Sequence, residues 1–345
     1  MAVPSTGPVG LSDISAEFNG SPPESLSEYY AGGGLVPSGT TGNEGTVPSS
    51  GTISINSLRG ASNQAPITAT GGTISDSGGY RYHTFTSGGT FTVTAEGVGD
   101  SSWNQLEAEI LAGGAGSIAR LNRNSAGGGG GGRTTNTSQA VVQSYSVTVG
   151  GGAGGSTANG GSSSFNGSTA IGGGRAGIET YGSPYSGVTP AVAGGCGGGA
   201  CEGASPNPTH APGSQGGDGG RGDQYNGSGG GGGGAGGNGG NGYYAGYNTP
   251  GSKGGNGGAG ISMFGTVRGG GGGGASEYVS SSPSSGGSGG GGAGGYRDSL
   301  GNRLGGSAGV NGFGGGGGGK PTTSSTNVYP FSGGSGIVII RYRIS

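Results

Sequence analysis

Gly229-Gly230-Gly231-Gly232-Gly233-Gly234 is one of four uninterrupted six-glycine blocks; the others are Gly127–Gly132, Gly269–Gly274 and Gly314–Gly319. Shorter blocks, such as Gly172–Gly174, Gly197–Gly199 and Gly289–Gly292, lie between them. Glycine has no side chain to bury, and it loses more backbone freedom on ordering than any other residue. Fixing the backbone costs about 1–2 kcal/mol per residue. The region 127–319 is therefore either a flexible linker or a structure whose backbone groups hold one another.

The second option has a defined geometry. The extended left-handed polyproline II helix has three residues per turn and rises about 3.1 Å per residue. It has no internal hydrogen bonds, so N–H and C=O groups point outward in three directions. Where every position is glycine, all three faces can approach neighbours. Parallel and antiparallel copies would then satisfy one another's backbone groups, with Cα–H···O contacts in support. A six-glycine block would span about 19 Å at that rise. Blocks joined by turns would form a slab with inserts at its ends.

Composition narrows the choice. Glycine supplies 102 of 345 residues, but there are only 16 prolines and no sustained Gly-X-Y period, which argues against a collagen triple helix. Gly/Ser-rich sequence is commonly a flexible linker. Against that stand aromatic and β-branched inserts, strand patterns on both flanks, and blocks of matching length. Charged residues make up 9% of the chain and the net charge is −2, which leaves no electrostatic basis for nucleic-acid binding. The longest apolar run, Ile337–Ile340, is of strand length and far short of a membrane span. The opening MAVPSTGPVG has neither the basic start nor the apolar stretch of a signal peptide.

Four regions are expected: 1–62, 63–126, 127–332 and 333–345. In the first, Leu11–Phe18 reads as a short helix with Ser12 as N-cap and with Leu11, Ile14 and Phe18 on one face. Asn19-Gly20-Ser21-Pro22-Pro23 ends it. Ser25–Tyr30 reads as a further helical turn, and Ile53 and Ile55 alternate within Val47–Leu58. So few apolar residues do not easily fold alone, so this module is expected to dock on a larger body or to trimerise.

In the second region, Tyr80–Thr86 and Thr90–Thr94 alternate around Ser87-Gly88-Gly89 and read as a β-hairpin. Leu106–Ala112 runs into glycine, and Val141–Val149 contains another strand. The uninterrupted Ile337-Val338-Ile339-Ile340 suggests a strand buried on both faces. The expected fold is mainly β plus non-regular chain. In it, the hairpin and the C-terminal strand make a β layer carrying a bundle of polyglycine II helices with loops at the ends.

These stretches carry a resemblance. The segment LSDISAEFNGSPPESLSEYYAGGGLVP, followed by GTVPSSGTISINSLRGAS, resembles a module of tail-fibre and other virion proteins of tailed phages. HTFTSGGTFTV, then the strand Leu106–Ala112 running into glycine, the glycine blocks and a terminal GGSGIVIIRY are similar to the glycine-rich domain of phage tail proteins, in which a strand runs into AGGG. The inserts resemble those of phage tail-fibre tip adhesins built on polyglycine helices, in which loops between helices contact the host receptor. The resemblance implies a virion location after assembly in the host cytoplasm. It also implies attachment to other virion proteins through residues 1–62 and a homo-oligomer, with a trimer favoured. The sequence departs from that pattern at Glu107 and Glu109, where apolar residues are usual, which questions full burial of that strand.

No catalytic constellation stands out, and no cofactor or metal is expected. Gly314–Lys320 matches a phosphate loop until Pro321 replaces the Ser or Thr that would hold the metal. His83 and His210 fall in different regions, too few for a Cys/His zinc site. Cys196 and Cys201 could close a small disulfide or remain free thiols. Arg221-Gly222-Asp223 is a tripeptide expected by chance in such a composition.

The tyrosines are more informative. Tyr181, Tyr185, Tyr225, Tyr243, Tyr244, Tyr247, Tyr278 and Tyr296 fall in inserts. Tyr combined with Ser, Gly and Asn is the composition of antibody binding loops. These rings either contact a receptor or shield the ends of glycine helices, and Tyr243, Tyr244 and Tyr247 form the strongest contact cluster. The expected function is a non-enzymatic adhesin that binds a host surface polysaccharide or outer-membrane protein. The alternatives are a purely structural virion component and, more remotely, a glycan depolymerase using a carboxylate pair.

Overall fold

The computed structural model describes residues 2–345 except 23, 100, 118–124, 155–157, 180–187, 202–209, 224–226, 244, 246–250, 277–281 and 322–329. Strands are the main regular element, and much of the chain is non-regular.

Residues 3–61 gather around their own apolar cluster. Helix α1 (Leu11–Phe18) buries Ile14 and Phe18. These meet Val3, Tyr29, Val36, Val47, Leu58 and Ala61, with Leu11 packed at the margin. The N-cap is Gly10 rather than Ser12; the Asp13 carboxylate accepts the Gly10 N–H, an acidic group at the positive end of the helix. Short 3-10 turns follow at Leu26–Tyr29 and Asn56–Leu58. The two-residue strands β1 (Thr41–Gly42) and β2 (Gly45–Thr46) pair with each other. Ile53 and Ile55 lie outside any strand and pack against this cluster.

Residues 63–170, together with the C-terminal strand, build two five-stranded antiparallel sheets. Their first elements are β3 (Thr68–Thr70), β4 (Thr73–Ser77), β5 (Tyr80–Phe85), β6 (Gly89–Ala95), β7 (Gln105–Leu111) and β8 (Arg133–Gln139). After them come β9 (Ser144–Thr148), β10 (Ser163–Phe165) and β11 (Ser168–Ala170). The glycine region adds three hairpins: β12 (Ile178–Glu179) with β13 (Val188–Thr189), β14 (Ile261–Met263) with β15 (Thr266–Arg268), and β16 (Gly295–Arg297) with β17 (Arg303–Gly305). β18 (Ile337–Arg343) ends the chain. One large sheet runs β4-β5-β18-β7-β8 and the other β11-β10-β9-β6-β3.

The expected hairpin of residues 80–94 does not form. β5 pairs with β4 and β18, whereas β6 pairs with β3 and β9. Residues 86–88 cross from one sheet to the other. Gly71-Gly72 makes the neighbouring crossing, where Gly71 has φ +108 and a Cβ would collide with the Thr90 carbonyl oxygen. Crossing lets Phe85, Phe91 and Val93 enter one core from opposite sides, with Leu106, Ile110, Tyr145, Val147, Phe165, Val338, Ile340 and Tyr342.

β18 lies between β5 and β7. Its Val338 and Ile340 face this core, while Ile337 and Ile339 face a second cluster with Leu111 and Met263. Met263 belongs to the β14–β15 hairpin, so the glycine region is fastened to the outer face of the β18 sheet. Phe264 completes the fastening: its ring meets Tyr82 edge-on at 5.8 Å, and the Arg341 guanidinium lies 4.1 Å above it. The departing acids in β7 are neutralised across the sheet. Glu107 pairs with Arg341, and Glu109, only 7% exposed, pairs with Arg133. The strand is thus buried from Ala108 onward, including Glu109, while Glu107 is half-buried.

In the four six-glycine blocks every residue is buried. Their partners are other backbone segments, and the pairing repeats every third residue. Gly127 and Gly130 donate to Gly230 and Gly233, in parallel sense. Gly128 and Gly131 donate to Gly317 and Gly314, and Gly129 and Gly132 to Gly174 and Ile171, both antiparallel. The carbonyls of Gly127, Gly128 and Gly129 accept from Gly199, Gly272 and Ala115. One block therefore meets neighbours in six directions without a side chain. The block at 229–234 repeats the pattern: Gly229 and Gly232 donate to Ala275 and Gly272, Gly230 and Gly233 to Ala200 and Gly197, and Gly231 and Gly234 to Gly240 and Gly237.

Where the slab runs out of neighbours, amide side chains replace them. Asn238 and Asn241, three residues apart, accept the N–H groups of Asp218 and Arg221. Asn159, Asn256 and Asn311 do the same for Arg175, Ser285 and Ser335. Both cysteines are buried and neither forms a disulfide, and burial pushes the Cys196 thiol up to about 12.

Candidate recognition surface

The hydrogen-bond register places each insert relative to the sheets. β7 enters the slab at Ala112 and β8 leaves it at Gly132, and the Ala112 N–H donates to the Gly132 carbonyl, marking the sheet end. Ser117 and Ser125 mark the opposite, far end. At that end Ser125 accepts the Lys320 N–H and Ser117 accepts the Phe331 N–H. Asp223 donates to Ser228, Ser228 pairs with Ser276, and Ser276 donates to Gly295. Gly295 in turn donates to Gly319. Described residues flanking the segments 118–124, 224–226, 246–250, 277–281 and 322–329 thus stand side by side at the far end. At the sheet end the chain reverses through short turns such as Gly234–Gly237 and through the β14–β15 hairpin.

The far end is sealed by buried hydroxyls. Ser117, Ser125, Ser228, Ser252, Ser276 and Ser284 are all buried. Ser228 donates to the Tyr243 carbonyl at 2.9 Å, Ser276 to the Ser252 carbonyl at 3.2 Å, and Ser284 to the Gly274 carbonyl. The last carbonyls of the glycine segments have no further glycine to meet, and a buried acceptor left open is costly. Ser284 supplies the missing donor at the Gly274 carbonyl.

Of the candidate tyrosines, Tyr243 and Tyr296 are described; Tyr181, Tyr185, Tyr225, Tyr244, Tyr247 and Tyr278 lie outside the described residues. Tyr243 is 62% exposed and its backbone pairs with that of Lys253, through two hydrogen bonds of 2.8 Å. Most of its surface is thus open to solvent. Tyr296 is half-buried in β16, opposite Leu304 of β17. Tyr243 and Tyr296 share one end, linked through Ser228, Ser276 and Gly295.

The same range of chain carries the family assignment. Residues 86–343 match the glycine-rich domain family. The chain belongs to that family. The glycine-rich domain thus takes in both large sheets from β6 onward, the whole glycine slab and the whole of β18, while residues 3–61 precede it. No curated protein and no solved structure matches the chain.

Two features of the glycine-rich domain were not singled out in its sequence. One is the asparagine spacing in Gly236-Gly237-Asn238-Gly239-Gly240-Asn241, whose three-residue period puts both amides on one face of a three-fold chain. The other is the turn Asp298-Ser299-Leu300-Gly301-Asn302 between Arg297 and Arg303. Asp, Gly and Asn there are turn formers, and Asp298 accepts from the Leu300 N–H, the Asn302 N–H and the Asn302 side-chain amide. The Asn302 amide first, and then the backbone donors, hold the Asp298 carboxyl below its usual range. Among the described residues no group of three or more His, Cys, Asp or Glu could share a metal ion.

Proposed function

We propose that this protein is a virion adhesin of a tailed phage, binding the host surface without chemistry through the far end of its glycine slab. In this reading the glycine segments are polyglycine II helices packed side by side. The three-residue repeat of their hydrogen bonds supports that packing. Residues 1–62 attach the chain to the tail, and oligomerisation as a trimer would cluster the contact ends.

The observation that carries the reading is the polarity of the chain. The module of residues 3–61 is tied through Glu17 to Ser62 and Asn63, and Ala65 then pairs with Val98 near the start of β7, away from the slab. The tyrosine-rich inserts are flanked by residues at the opposite end of the glycine-rich domain. A purely structural connector would have no use for an exposed ring such as Tyr243 at a free end.

The test is binding of the purified, labelled chain to a panel of intact bacterial strains. The parent is compared with the triple variant Tyr243→Ala, Tyr244→Ala, Tyr247→Ala. In this reading the variant melts with the parent and binds at least about tenfold more weakly. Equal binding by a folded triple variant removes these tyrosines from the surface. Failure of the parent to bind any strain rejects the adhesin reading.

A further inference from the structure

Eight Asn–Gly pairs occur in the chain, five of them in the glycine segments, at Asn159, Asn238, Asn241, Asn256 and Asn311. This dipeptide carries a reaction of its own. The glycine nitrogen, with no side chain beside it, gives up its proton to solvent base and attacks the asparagine Cγ. The N–Cγ bond forms, the Cγ–Nδ2 bond breaks, and ammonia leaves with a proton from solvent. Water then opens the five-membered imide at either carbonyl, to aspartate or isoaspartate. The reaction needs a glycine N–H free to ionise and a side-chain amide free to swing onto it. The seven described asparagines of these pairs are all exposed, so hydrogen bonding and not exposure separates them.

In the slab both groups are held. The Asn238 Oδ1 accepts the Asp218 N–H at 2.9 Å, while the Gly239 N–H donates to the Asp218 carbonyl at 2.8 Å. Asn241-Gly242 takes both backbone groups of Arg221 in the same way, and Asn256-Gly257 both of Ser285. Asn159 and Asn311 accept from Arg175 and Ser335. The N–H groups of Gly160 and Gly312 donate to the Gly173 carbonyl and the Ser335 hydroxyl. After α1, the Gly20 N–H that follows Asn19 donates to the Ser15 carbonyl. Each of these pairs must open locally before it can react.

Asn166-Gly167 stands apart. It is the two-residue turn between β10 and β11, with φ +45 and +79, the left-handed conformation that Asn-Gly favours in hairpins. Among the described residues the Gly167 N–H has no acceptor and the Asn166 Oδ1 no donor, and the space beside Gly167 is open. Only the amide nitrogen is engaged, donating to the Ser138 hydroxyl at 3.0 Å and to Asn136 Oδ1 at 3.4 Å. The Asn136 amide in turn donates to the Asn166 carbonyl and the Ser168 hydroxyl. These bonds latch β8, an edge of one large sheet, to the β10–β11 turn at an edge of the other. We propose that Asn166 is the site at which the folded chain deamidates, and that the modification releases this latch. A carboxylate in place of the amide can donate to neither Ser138 nor Asn136, and isoaspartate adds a backbone atom to a two-residue turn.

The full chain is aged in mildly alkaline buffer below its melting temperature, and each Asn–Gly peptide is followed by mass spectrometry for the exchange of NH2 for OH. Asn166 should convert at least about tenfold faster than any of the five slab asparagines, because each of those has two hydrogen bonds to break first. In urea the rates should converge, because the dipeptide is the same throughout. A slab asparagine that converts as fast as Asn166 in the folded chain overturns the assignment, and so does an Asn166 that converts only in urea. The converted fraction, separated by its added negative charge, should exchange the amide hydrogens of β8 about fivefold faster than the parent, for one lost hydrogen bond. Asn166→Asp should do the same without ageing. Exchange in β8 that is unchanged in both overturns the release of the latch.

Discussion

Arg133 grips Glu109 with two charged hydrogen bonds, of 2.6 and 2.7 Å, at the point where the chain passes from the glycine slab into β8. Bidentate guanidinium–carboxylate pairs are among the stronger polar contacts, and this one is largely removed from water. Breaking one partner of a fully buried pair costs about 3–5 kcal/mol. Arg133 retains some solvent access, with a side chain 26% exposed. Glu109→Gln is therefore expected to destabilise by about 2 kcal/mol. Glu107→Gln, whose pair with Arg341 is more exposed, should cost about 1 kcal/mol or less. Urea denaturation of both variants measures the difference, and equal effects would show that burial is not what separates the two pairs.

The slab makes a sharp contrast between interior and edge glycines. A Cβ at Gly231 would stand 2.0 Å from the Asn256 carbonyl oxygen, whereas a Cβ at Gly151 meets nothing within 4 Å. Gly231→Ala should cost about 3 kcal/mol or more, because rigid backbone must move apart, and Gly231→Val should be worse. Gly151→Ala should be neutral or slightly stabilising through the unfolded chain. Thermal melts of the three variants decide it. A Gly231→Ala protein melting with the parent would falsify close packing of these segments.

His83 sets a pH dependence. Its ring is buried, with Nδ1 2.7 Å from the Gly71 carbonyl and Nε2 3.2 Å from the Tyr342 hydroxyl. The Nδ1–H donates to the carbonyl, and Nε2 accepts from the phenol. Phe91 closes another side edge-on at 5.0 Å. Burial above all, with the Arg81 charge in support, lowers the imidazole pKa below its usual 6.5, against the Gly71 carbonyl and Asp76, which raise it. The unfolded chain then binds a proton that the folded one refuses. Stability from this site is complete above about pH 6.5 and falls as pH drops toward the folded pKa, by at most about 1.4 kcal/mol per pH unit. Urea midpoints at pH 7.5, 6.5 and 5.5 should fall for the parent and fall less for His83→Asn. Parallel pH curves for the two would assign the dependence elsewhere.

The amide-capped edge is open to the same kind of measurement. Asn238→Ala with Asn241→Ala leaves the N–H groups of Asp218 and Arg221 without protein acceptors at a solvent-accessible margin. Each lost hydrogen bond is worth about 1 kcal/mol, so the pair should cost about 2 kcal/mol. Hydrogen exchange at Asp218 and Arg221 should accelerate while exchange at Gly231 stays protected. If both edge amides keep their protection in the double variant, the asparagines are not what closes the slab.

Part of this was legible in the residues. The helix Leu11–Phe18 follows from its apolar spacing and is found with those bounds. The Ile337–Ile340 run reads as a strand covered on both faces, and Ile337 and Ile339 do meet a second cluster. The crossing at residues 86–88 is not legible, because two alternating strands joined by glycine look the same whether they pair with each other or cross between sheets. The β16–β17 hairpin is not legible in the sequence, because three-residue strands among glycines carry too little alternation to announce themselves.

The sequence by itself determined that the glycine blocks cannot be held by side chains. Hydrogen-bonding groups that must be satisfied then leave only backbone-to-backbone contact, at a period set by the extended chain. It determined as well the chemistry available in the inserts, with their tyrosine, serine and asparagine. Only the tertiary structure decided which block lies against which, because the faces of one glycine segment are chemically identical to those of another and carry no register of their own. It also decided that Tyr243 and Tyr296 emerge at one end. That depends on how many segments separate them and where each reverses, which is a property of the whole slab and of no single stretch.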